Sequence, residues 1–251
     1  MVPKVKFKLV NIDFDSYWIN RFTLGSWAHY VYKVHPELKV LLKDVKEKRK
    51  RLTIIKNYLK IYYSEHKEEF DRAIKYNQLF WNKINNEYFK LLEMILGTTW
   101  KVKVINAYVS ANPICPRFLD THSFTIFFRK KKYPSMLATA HECLHFLYFK
   151  KFHEVFPNVS IRTFNAPYLE WALSEILARP ILNTDAIQEL LKIKEWSYPE
   201  FQKVKIGKKR LPEYFDDLYT KSLKKGESFE KFLRTAYKEA KKYKDKVRKS
   251  W

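Results

Sequence analysis

Between Pro36 and Gly97 the chain contains neither glycine nor proline. So long a stretch without a turn former has few ways to fold, and its pattern supports helix. Apolar residues recur at helical spacing: Leu52, Ile55, Leu59 and Tyr62, then Phe70, Ile74, Leu79, Trp81 and Ile84. Ser64 offers a break, which predicts two long helices folded back as an antiparallel hairpin. His35-Pro36-Glu37 reads as a helix start with proline in the first turn. Ahead of it, residues 4–10 alternate lysine with apolar side chains, the period of a strand with one buried face. Residues 14–34, rich in aromatics, read as helix weakened at Gly25.

At Gly97 the pattern changes. Residues 100–110 alternate like a strand, 112–120 carry two prolines and read as a loop, and 123–128 read as a second strand. A basic turn, 129–134, leads to a helix over about 135–152. A further helix covers 169–178 and stops near Pro180. Beyond Tyr198-Pro199 the chain is basic, with Gly207 and Gly226 as breaks and a last helix from about Ser228. The expectation is an α+β protein. It has an N-terminal strand and long-helix region over 1–97, and an α+β core with a basic helical C-terminal part over 98–251.

Composition narrows the class. In 251 residues, 46% hydrophobic and 17% aromatic content excludes disordered and collagen-like chains. Lysine and arginine interrupt every apolar run before it reaches membrane-spanning length, so no membrane is expected. The first residues alternate charged and apolar positions and lack a signal-peptide core. Two cysteines, Cys115 and Cys143, are too few for a disulfide framework, which points to the cytoplasm. The balance of 49 Lys+Arg against 27 Asp+Glu gives +22, a charge that attracts nucleic acid or acidic substrates. It is spread over 46–51, 129–132, 203–210 and 238–249 rather than gathered, so a nucleic-acid partner is possible but not favoured. Lys48-Arg49-Lys50-Arg51 reads as a solvated helix face, and the aromatics Trp18, Trp27, Tyr30 and Tyr32 as core.

The chemistry is concentrated in the 135–152 helix, at His141-Glu142-Cys143-Leu144-His145. Residues four apart share a helix face, so the two imidazoles can converge on one metal ion. Glu142, offset from that face, misses the metal and reaches a water beside it. Leu137, Ala140, Leu144 and Leu147 make the helix apolar rather than a solvated surface helix. Cys143 reads as a small core residue.

This pattern resembles the zincin metallopeptidases, in which a strand precedes the active-site helix. The resemblance covers residues 100–182. The metzincin subfamily requires Gly and His where this chain has Tyr148 and Lys151, and is excluded. SprT-like DNA-associated peptidases use a third histidine downstream, for which His153 is the candidate. Gluzincins take a glutamate from a following helix. Leu173-Ser174-Glu175-Ile176-Leu177-Ala178 is similar to their glutamate-helix pattern, and Glu170 is the alternative. Thermolysin-like enzymes place an aspartate four residues past that glutamate, where this chain has Arg179.

The resemblance implies one zinc ion held by His141, His145 and Glu175, with Glu170 or His153 as alternative third ligands and Glu142 as general base. Tyr168, Tyr198 and Tyr214 are candidate oxyanion donors, and so is His153. Strand 123–128 resembles the zincin edge strand that binds an extended peptide or protein substrate. Two regulatory variants share the same metal site, a SprT-like peptidase on nucleic acid and an ImmA-like peptidase that cleaves a repressor. The reading of another class is a non-catalytic basic nucleic-acid-binding or interaction protein.

Overall fold

The computed structural model describes residues 2–248. It is α+β, 64% helix with a small mixed sheet, and forms two compact units. One comprises Lys4–Lys83 and Val104–Thr139; the other comprises Ile84–Lys103 and the chain from Ala140 onward. The units interleave along the chain where the sequence suggests a single cut at 97. Parallel pairing of an N-terminal strand with one beyond residue 103 is what interleaves them.

The first unit holds a four-stranded sheet, β1 (Lys4–Leu9), β2 (Val104–Ser110), β3 (Arg117–Phe118) and β4 (Ser123–Phe127), in the order β1-β2-β4-β3. β1 runs parallel to β2 with Lys4 opposite Val104, and β2 parallel to β4 with Asn106 opposite Ser123. Val5 and Phe7 are buried while Lys4, Lys6 and Lys8 are exposed, as the alternation requires. The outer edge of β1 is blocked by Gln78, whose amide donates to Val5 O and accepts from Phe7 N, both at 3.0 Å.

Three expectations change here. β4 is an inner strand, not the sheet edge. The proline segment read as a loop contributes β3, paired antiparallel to β4, and Thr125 N donates to Pro116 O. β2 starts at Val104 rather than Trp100, because Trp100 is a packing anchor in the second unit. Its indole N–H donates to Phe89 O and its ring lies 4.9 Å from that of Phe89.

The helices of this unit follow the sequence closely. α1 (Ile12–Phe22) is capped by Asn11, whose side chain accepts from Asp13 N and Phe14 N. Gly25 lies in the turn before α2 (Ala28–Val34), and α3 (Pro36–Leu41) begins on Pro36. α4 (Lys48–Glu65) and α5 (Lys67–Leu96) meet at His66, two residues past the expected break. Lys48, Arg49 and Lys50 are exposed, but Arg51 is buried. Its guanidinium donates to Asn20, Thr23, Leu42 O and Val45 O, so only part of the basic run is a solvated face.

α6 (Lys132–Val155), which belongs to the second unit from Ala140 onward, begins inside the expected basic turn. α7 (Leu169–Leu182) passes through Pro180 instead of stopping there. Proline forfeits one helix hydrogen bond, but Pro180, Ile181 and Leu182 are buried, and Asn183 N–H still reaches Arg179 O. α8 (Asp185–Leu191) and α9 (Pro199–Lys203) follow. A two-stranded ribbon of β5 (Lys205–Ile206) and β6 (Lys209–Arg210) turns at Gly207. α10 (Leu211–Lys224), α11 (Phe229–Lys242) and α12 (Lys244–Arg248) pack against α7, and Ser228 caps α11. Among the described residues, no helix is long and apolar enough to cross a membrane.

Candidate metal centre

α6 and α7 are buried on nearly every side. Residues 142–149 of α6 and 169–178 of α7 are all buried. This explains why both segments are so apolar, and it makes any ionisable group within them costly unless it is paired. The pairing is between the two helices. His141 Nε2 lies 3.0 Å from Glu175 Oε2 and 2.9 Å from His145 Nε2, and His145 Nε2 lies 3.4 Å from Glu175 Oε1. The side chains of His145 and Glu175 are 0% and 2% exposed, and that of His141 is 13%. Among the described residues this is the one group of three or more His, Cys, Asp or Glu side chains that could hold a metal ion.

The donor set is compatible with a metal ion, and zinc is one that accepts such ligands. A tetrahedral zinc with bonds of about 2.1 Å holds its ligand atoms about 3.4 Å apart, a spacing met by His145 and Glu175 and about 0.4–0.5 Å wider than the other two separations. Two imidazole nitrogens and one carboxylate are donors of the kinds that zinc-type metal ions take. Burial works against a charge on His141. The carboxylates of Glu195 and Glu175 outweigh it and hold that imidazole well above its ordinary pKa. So negative a site attracts a cation, which a metal satisfies without a buried proton.

The frame around the ligands is specific. Tyr88, fully buried on α5, donates to Ala140 O at 2.6 Å and so fixes the turn that presents His141. The ring of Phe149 stacks on His145, with centroids 6.0 Å apart. Glu142 is buried in the turn between the two histidines. Cys143 is fully buried; burial, and then the nearby Glu142 charge, push its thiol well above its ordinary pKa, which suits an inert core residue.

The other candidates lie elsewhere. Glu170 accepts a hydrogen bond from Tyr237 at 2.6 Å, and His153 sits two turns beyond His145 with its ring against Phe164. Neither joins the cluster. The Tyr214 hydroxyl is committed to Glu239 at 2.6 Å. Tyr168 is half-exposed at the start of α7, and Tyr198 precedes α9. Arg179, four residues past Glu175, pairs with Asp216 at 3.1 Å. The carboxylate that faces a histidine of the cluster is instead Glu195, whose Oε2 lies 3.4 Å from His141 Nδ1. No spacing rule points to Glu195 or Tyr88, because each belongs to a segment distant in sequence from the helix it serves.

No protein-family model matches the chain, and comparison with curated proteins and with solved structures finds no significant match.

Proposed function

We propose that this protein is a zinc-dependent metallopeptidase of gluzincin type. One observation carries the reading: the Nε2 atoms of His141 and His145 and the carboxylate of Glu175, from two buried helices, converge within 2.9–3.4 Å. The chain order also supports it, with strand, then His-Glu-x-x-His helix, then glutamate helix. His153 against Phe164 leaves a SprT-like arrangement without its third ligand. The free thiols of Cys115 and Cys143 suit a reducing setting, for which we take the cytoplasm.

In this reading His141, His145 and Glu175 hold one zinc ion per chain. When bound, zinc supplies Lewis acidity toward a peptide carbonyl and makes water a nucleophile at neutral pH. Glu142 accepts the proton as the water oxygen adds to the carbonyl carbon, then delivers it to the departing amine nitrogen. Its buried position limits competition from bulk water for that proton. The substrate is a peptide or protein.

The test joins metal content to cleavage. Protein purified without added zinc is expected to carry about one zinc by mass spectrometry, kept in Glu170→Ala and lost in Glu175→Ala. Wild type should cleave a mixed peptide library. Glu142→Gln should keep the zinc and lose activity by about 10²–10⁴-fold. A wild type that takes up no zinc even when it is offered would end this reading. Equal cleavage by Glu142→Gln would remove the general base as drawn.

A further inference from the structure

We propose that Glu195 is the positioning residue of the metal centre and that Asn183 sets it in place. The inference rests on the zinc reading of the site and adds to it a part supplied from outside both ligand-bearing helices.

Glu195 lies in the segment between α8 and α9. A loop side chain is a poor device for aiming a ligand unless its backbone is fixed. Here it is fixed twice. The Asn183 amide, at the C-terminus of α7, accepts from Glu195 N at 2.8 Å and donates to Glu195 O at 3.1 Å, so one side chain grips both backbone groups of the residue. Gln188 on α8 donates to Ile193 O at 3.0 Å and to Leu182 O at 2.8 Å, tying the same loop to the end of α7. Lys192, with φ 56°, ends α8 in a left-handed turn and sends the chain back toward that grip. α7 thus carries Glu175, a ligand, and ends on Asn183, the clamp, as its C-cap.

The consequence falls on His141. Glu195 Oε2 lies 3.4 Å from His141 Nδ1, an ion-pair separation beyond the usual N–H···O range, and the charge favours a proton on that nitrogen. A proton on Nδ1 leaves the Nε2 lone pair directed at the cluster, holds the ring against rotation and raises its basicity toward a metal. Glu195 is 12% exposed, so solvent weakens this charge little.

The test measures zinc affinity by competition with a chromophoric chelator in wild type, Glu195→Gln, Asn183→Leu and the double variant. Glu195→Gln keeps the shape and removes the charge, and should weaken zinc binding by about 10–100-fold. Asn183→Leu touches neither zinc nor His141, yet should also weaken it. The double variant should be no weaker than the worse single one, since both act through one contact. The metal-free melting temperature should match wild type in Glu195→Gln and fall by a few degrees in Asn183→Leu, which loses two hydrogen bonds. The visible spectrum at saturating cobalt should change in Glu195→Gln, which a merely structural role would not produce. If both single variants bind zinc within about twofold of wild type while His145→Ala abolishes binding, the Glu195 role is overturned and the zinc site stands. Absence of zinc binding by wild type overturns both.

Discussion

If zinc binds the cluster, it should stabilise the native chain by an amount that can be stated beforehand. The three ligands meet only when α6 and α7 are packed, so the unfolded chain retains at most the two histidines one turn apart. Binding to the native form alone adds RT ln(1 + [Zn]/Kd), about 2.7 kcal/mol at one hundred times Kd and about 1.4 kcal/mol for each further decade. For a chain of this length 1 kcal/mol moves the melting temperature by about 2–4 °C. The transition that carries α6 and α7 should therefore rise by about 5–11 °C at one hundred times Kd, and by about 3–6 °C per decade after that. Calorimetry in zinc buffers of set free concentration reads this directly. The control is His145→Ala, at a residue with no exposure. Its metal-free melting point will fall through lost packing, so the quantity to compare is the shift with zinc, which should vanish. An equal shift in His145→Ala would assign the effect to surface histidines and refute the reasoning, as would a wild type indifferent to zinc.

Two predictions concern the first unit. Asp15 is fully buried and accepts from Ser110 Oγ and the Tyr63 hydroxyl, both at 2.7 Å, and from Ala111 N; burial outweighs these bonds and raises its pKa to about 6. With the folded value above the unfolded one, its stabilising contribution is complete below about pH 4 and is lost as pH rises through 6, by about 3 kcal/mol. Urea unfolding across that range should show the decline in wild type and not in Asp15→Asn; the same slope in both would sink the assignment. Arg51→Lys should cost about 2–4 kcal/mol in urea unfolding, because an ammonium cannot serve the four acceptors that the planar guanidinium reaches. Arg49→Ala, at an exposed neighbour in the same run, should stay within about 0.5 kcal/mol; a similar loss at both positions would contradict the burial of Arg51.

What could be read from sequence was local. The helix starts at Pro36 and Ser228 and the alternation of 4–10 were legible because caps and periods involve neighbours in the chain. His141 and His145 were legible for the same reason, four residues apart on one helix. Glu175 was legible as one of two candidates beside Glu170, because a carboxylate in so apolar a helix needs a partner, and the packing of α7 on the histidines supplies it. Pro180 misled because burial of the residues around it outweighs one lost hydrogen bond. β4 misled because its coverage depends on where the proline segment 112–118 folds, which no residue within β4 encodes.

Glu195, Asn183 and Tyr88 mark the limit. Each acts across tens of residues of chain, through contacts that exist only after distant helices and loops have packed. The amino-acid sequence by itself determined the helix-rich α+β class and the pair of imidazoles one turn apart on a helix face, since propensity and periodicity are properties of adjacent residues. Only the tertiary structure decided which carboxylate joins them, which one stands behind His141 and which strand lies at the sheet edge, because those choices are made by burial and by hydrogen bonds between segments remote in the chain.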